Sequence, residues 1–145
     1  MYKRILLAYD GTEAGQQALL QCEDLVQWGD ASLWLVAVMP GLVKMGGLES
    51  GYFTAEVMAD DTAAFETVLA DGLDRLAAAG FTARGELLVG DAVPEISGYA
   101  KKMAADLIIV GHKHLDSWAA RWWRGATSSA LVEHAPCSVL CVISK

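Results

Sequence analysis

Uninterrupted apolar runs of strand length, separated by stretches of helical periodicity, constrain this chain more than any other feature of its sequence. Ile5-Leu6-Leu7-Ala8 lies inside a first strand expected from Tyr2 to Tyr9, and Leu33 to Met39 reads as a second, closed by Pro40 and Gly41. Leu107-Ile108-Ile109-Val110 falls within a short strand from Asp106 to Gly111, and Ser138 to Ile143 forms the last one. Such runs leave no polar face for water. They are the mark of strands covered on both sides, as parallel sheets require.

The segments between the runs read as helices. Thr12 is a fair N-cap for a helix to about Trp28, with Ala14, Ala18, Cys22 and Leu25 on one stripe and Gly29 as the stop. From Ala55 to Ala79 the positions Phe65, Val68, Leu69, Gly72, Leu73 and Leu76 recur at helical spacing, and Gly80 ends the run. Thr82 to Val89 is expected to be the third strand. Gly90-Asp91 then turns the chain into a helix with Val93, Ile96, Ala100 and Met103 on one face and Pro94 in its first turn. Residues 112–124 read as irregular, Gly125 to His134 as a further helix, and Pro136 separates that helix from the last strand. The order βαβαβαβαβ implies right-handed crossovers and an α/β fold, a mainly parallel sheet with helices on both faces. The stretch from Pro40 to about Thr54 holds four glycines and little periodicity, which marks it as a loop and a lid candidate.

Bulk properties narrow the function. A chain of 145 residues with 54% hydrophobic content has room for one core, and no linker or repeat divides it, so residues 1–145 are expected to form one domain. The net charge of −7 repels a nucleic-acid backbone, and no basic stretch makes a local exception. No apolar run approaches the roughly 18 residues needed to span a bilayer, and Met1-Tyr2-Lys3-Arg4-Ile5 leads straight into a strand with no signal-peptide pattern, so a cytoplasmic location is expected. Cys22 falls on a helix face. Cys137 and Cys141, four apart in one strand, stand roughly 13 Å apart at about 3.3 Å per residue. A disulfide tolerates about 7 Å at most, so these two are expected as buried free thiols.

In an open α/β sheet the ligand crevice lies beyond the carboxyl ends of the strands, where strand order reverses. Asp10, Val38, Gly90 and Gly111 meet that test. Gly125-Ala126-Thr127-Ser128 offers backbone N–H groups at a helix start, which suits an anion such as phosphate, and Thr127 or Ser128 adds a hydroxyl. Machinery for turnover is missing. The chain has no G-x-S-x-G elbow, no G-x-x-x-x-G-K-[ST] loop and no G-x-G-x-x-G after its first strand. Acid/base work needs two carboxylates at neighbouring strand ends, and only Asp10 clearly qualifies, with Asp91 a weaker second. A signalling receiver domain would want clustered aspartates after the first strand and a lysine after the last, which these positions do not supply. His112-x-His114-x-Asp116 is a poor metal spacing, so no metal is expected beyond magnesium accompanying a nucleotide. Trp118, Trp122 and Trp123, with Arg121 and Arg124, form either a partner-binding surface or a set of rings closing the crevice.

Four stretches together resemble the universal stress protein family: Lys3-Arg4-Ile5-Leu6-Leu7-Ala8-Tyr9-Asp10-Gly11-Thr12, the Gly90 turn, Ala105-Asp106-Leu107-Ile108-Ile109-Val110-Gly111, and Ala135-Pro136-Cys137 before the last strand. The resemblance runs the length of the chain. It implies a five-stranded sheet ordered 3-2-1-4-5, a homodimer made through the last strands, and stress-response function. It also implies either ATP binding through G-x2-G-x9-G-[S/T] after the fourth strand or a subclass without that pattern. This chain falls between them: Gly111 matches, the second glycine is His114, Gly125 comes one residue late, and the serine position is Ala126, followed by Thr127. An imidazole at 114 crowds a phosphate that expects bare backbone. By the same resemblance Ala8, Asp10 and Val38 match positions lining an adenosine pocket, while from the residues alone Asp10 also suits a turn and helix cap, and Val38 plain packing. The expectation is a dimeric binding module for unidentified protein partners, with ATP or AMP held weakly at Ala8, Asp10, Val38, Gly111, His114, Gly125, Ala126, Thr127 and Ser128. The alternative is a slow ATP-hydrolysing or nucleotide-switched enzyme. Neither nucleic acid nor membrane is expected as a partner.

Overall fold

The structure is a computed structural model that describes residues 2–11, 13–26, 30–39, 55–113 and 126–144. Five strands, β1 (Arg4–Ala8), β2 (Ser32–Met39), β3 (Ala83–Val89), β4 (Leu107–Lys113) and β5 (Ser138–Ser144), form one sheet ordered β3-β2-β1-β4-β5, with every neighbouring pair parallel. Between them run α1 (Glu13–Val26), α2 (Ala55–Ala78), α3 (Ala92–Lys102) and α4 (Ala126–His134). The expected alternation, sheet order and parallel pairing are all present. The long loop after β2, Thr12, and the tryptophan segment lie outside the described residues.

Pleating sends successive residues to opposite faces, and the two cores follow that rule. Ile5, Leu7, Tyr9, Leu33, Leu35, Leu107 and Ile109 point to one side, where Ala18 and Leu19 of α1 and Leu76 of α2 cover them. Leu6, Val36, Leu88, Ile108 and Val110 point to the other, under Ile96 and Ala100 of α3 and Leu131 of α4. Ile5, Leu6, Leu35, Ile108 and Leu131 are all fully buried, each worth about 1.5–3 kcal/mol relative to an exposed position. The apolar residues of α2 expected to form a stripe, Val68, Leu69, Leu73 and Leu76, do pack on the first core.

Three local expectations need correction. Strand β1 is Arg4–Ala8, shorter than read, because the Asp106 carboxylate takes the Lys3 and Arg4 N–H groups at 2.7 and 3.0 Å. Strand β4 does not stop at Gly111: its ladder with β5 continues through Gly111↔Val142, His112↔Ile143 and Lys113↔Ser144, so residues 112 and 113 are strand. Cys137 and Cys141 are free thiols, as expected, yet only half-buried, because Cys141 lies on β5, an edge strand, and Cys137 immediately before it. Among the described residues no helix is long and apolar enough to cross a membrane.

Candidate functional site

The sheet order reverses between β1 and β4. Chain leaving β1 turns to α1 on one face, whereas α4, the helix that follows β4, lies on the other, the arrangement at which open α/β sheets place their ligand crevice. Ala8 is the last rung of β1 and pairs with Val36 on one side and Val110 on the other. Val38 and Gly111 lie two residues and one residue beyond those partners. Ala8 and Val38 are half-buried on the α3/α4 face, against the second core.

Asp10 follows two residues after β1 and is exposed. Its Oδ1 would stand 2.9 Å from a Cβ added to Gly15, so the carboxylate lies over the first turn of α1, where it complements the positive end of the helix dipole. Gly11, next in the chain, has φ +79°, a left-handed conformation that costs a residue with a Cβ about 1–2 kcal/mol. That turn ends β1 and aims the chain into α1. Gly111 is half-buried inside β4. Ala126, Thr127 and Ser128 form the first turn of α4; His114 and Gly125 lie outside the described residues. The described part of the site thus brings Ala8, Asp10, Val38 and Gly111 to one end of the sheet. Among the described residues no group of three or more His, Cys, Asp or Glu is placed to hold a metal ion.

A polar cluster under this rim escaped the sequence reading. Tyr9 sits between Ala8 and Asp10 but points to the opposite face, only 2% exposed. Its phenol donates to Asp71 Oδ2 of α2 at 2.5 Å, and Arg75 Nε donates to the same oxygen at 2.9 Å. Burial first, and then the bond to Asp71, raise the phenol above its ordinary range, while the phenol and then Arg75 hold the Asp71 carboxyl below its own. The only sequence signal was the i, i+4 pair Asp71 and Arg75 flanking Gly72. Nothing local to Tyr9 revealed a partner 62 positions away. A second phenol, half-buried Tyr99 on α3, is pushed up to about 12 by burial and by its bond to Glu86 of β3.

Fold and rim together define a doubly wound α/β protein with its crevice at the β1/β4 reversal. The chain belongs to the universal stress protein family, whose model matches residues 1–142. A Staphylococcus haemolyticus protein bearing a universal stress protein name is 27% identical over 145 residues, 97% of this chain and 84% of its own. Protein MJ0577 shares the fold with a TM-score of 0.80 at 21% identity, over 100% of this chain and 98% of that one. The Archaeoglobus fulgidus universal stress protein in complex with dAMP gives 0.71 at 17% identity, over 97% and 98%. An Arabidopsis thaliana family member with AMP bound gives 0.68 at 17% identity, over 99% and 92%.

Proposed function

We propose that the protein is a cytoplasmic, homodimeric regulatory module of the stress response that binds an adenine nucleotide in the β1/β4 crevice and acts on protein partners rather than on the nucleotide. The observation that carries this reading is the exposed Asp10 at the reversal of strand order, beside half-buried Ala8 and Val38. Solved relatives of the same fold hold dAMP and AMP, which supports an adenosine end at Ala8, Asp10 and Val38. The phosphate end falls to Gly111, His114, Gly125, Ala126, Thr127 and Ser128, with magnesium accompanying ATP. Because His114 and Ala126 replace a glycine and a hydroxyl of the full pattern, affinity is low, with Kd on the order of 0.1 mM, about −5.5 kcal/mol.

The dimer reading rests on β5. This edge strand carries Leu140 and Ile143, 36% and 57% exposed, and Val132 of α4 is 65% exposed. A second copy covers such an edge by pairing or packing along it.

Calorimetric titration with AMP, and with ATP plus magnesium, tests the nucleotide reading. Saturable binding that weakens about tenfold in Asp10→Ala supports it, a loss of about 1.4 kcal/mol. Silence to several millimolar rejects it, and phosphate release over hours above the blank replaces it with slow hydrolysis. Sedimentation of Ile143→Lys checks the dimer, with the mass expected to halve.

A further inference from the structure

Asp10 and Tyr9 are neighbours in sequence and converge on one point of α1. A Cβ on Gly15 would stand 2.9 Å from Asp10 Oδ1 and 3.1 Å from Tyr9 Cδ2. The bare backbone of Gly15 is therefore the surface against which both side chains are set. The other edge of the ring meets Gly72 of α2, where an added Cβ would lie 2.7 Å from Cδ1. The ring is thus wedged between the backbones of two helices, and its hydroxyl is tied to Asp71 Oδ2 at 2.5 Å, an oxygen also held by Arg75 at 2.9 Å.

A wedge of this kind fixes more than packing. The phenol cannot pivot without breaking a hydrogen bond to a charged acceptor, worth about twice a neutral one. Tyr9 also stays in the β1–β2 ladder, its N–H donating to Val36 O at 2.9 Å. With backbone, ring and hydroxyl all fixed, the next residue leaves the sheet in one direction.

We propose that Tyr9 is a positioning residue for the rim: latched to Asp71 from behind the sheet, it holds Asp10 and the first turn of α1 in register. For ligand binding this rests on the nucleotide reading above, but the geometry it describes exists without ligand. Asp71 is the informative place to test it, because its side chain is 44% exposed and its loss leaves no buried cavity. In Asp71→Ala the backbone amide resonances of Asp10 and Gly15 shift in the ligand-free protein, and the Kd for AMP rises about three- to tenfold. Asp71→Asn keeps an acceptor oxygen for the phenol and restores most of both. Ile96→Ala, a core change in α3 on the opposite face of the sheet, lowers stability more while leaving those resonances in place. Unmoved Asp10 and Gly15 resonances in Asp71→Ala overturn the latch, whether or not AMP binds. Wild-type protein that binds no AMP rejects the nucleotide reading alone, and the resonances then decide the latch.

Discussion

The two faces of the sheet end differently at the same rim. On the α1/α2 face the last inward residue of the central strand is Tyr9, fully enclosed, its hydroxyl tied to Asp71 and, through it, to Arg75. On the α3/α4 face the corresponding positions are Ala8 and Val38, small, apolar and only half-buried, and the phenol of that face, half-buried Tyr99, is paired far out on the β3 edge strand with Glu86. One face is locked where the other is left with room. A crevice belongs on the second, because a ligand can displace water from small apolar side chains but cannot displace a hydrogen-bonded ring.

The largest test asks whether the faces are energetically equal at their centres. Leu35→Ala on the first face and Leu131→Ala on the second each empty a fully buried position and should each cost about 2–5 kcal/mol, read from denaturant midpoints. A loss below about 1 kcal/mol for Leu131→Ala would mean that α4 is loosely held and that the second core is weaker than drawn. A smaller effect addresses the wedge. Gly72→Ala puts a methyl 2.6 Å from Leu35 Cδ2 and 2.7 Å from the Tyr9 ring, and should cost about 1–3 kcal/mol by overpacking, although Ala is the better helix former. Thermal stability equal to wild type would show that the ring is free to move.

The smallest effects are read by pH. The Asp71 carboxyl is depressed by the Tyr9 phenol and then by Arg75, so its folded pKa lies below the unfolded value of about 3.9. Its contribution is complete above that pH and is lost as pH falls through the folded pKa. The stability gap between wild type and Asp71→Asn should therefore close on acidification below about pH 4. Tyr99 runs the other way, its folded pKa raised to about 12. Its contribution is whole below the unfolded pKa of about 10 and is lost as pH climbs toward about 12, so Tyr99→Phe should blunt alkaline unfolding. Denaturant titrations across both ranges check the pair, and identical profiles for mutant and wild type would remove either side chain from the comparison.

What could be read from sequence was what is written locally. Continuous apolar runs gave the strands, and helical spacing at Val68, Leu69, Leu73 and Leu76 gave the buried stripe of α2, because burial on both faces and a 3.6-residue period are imposed residue by residue. The end of β4 was not local. Its last rungs exist because β5 lies alongside, so a glycine that looked like a stop became a paired strand residue. The latch was invisible for the same reason. Tyr9 read as one more strand position, and nothing in the sequence singled out Asp71 or Arg75 until folding placed them together. Of the candidate site, Asp10, Val38 and Gly111 could be placed at strand ends by counting, whereas Ala8 came from the family resemblance alone.

The unequal lengths of the central ladders shape what a molecule resting on β1 would meet. Pairing of β1 with β4 stops at Ala8↔Val110, whereas β4 and β5 run on together to Lys113↔Ser144. The result is a two-stranded parapet three rungs tall along one bank of the crevice. Within that parapet the β4 residues have β5 partners and no β1 partner, and Gly111 carries no Cβ. In the proposed binding mode a ligand resting on β1 meets this raised ladder on one flank and the Asp10 turn on the other.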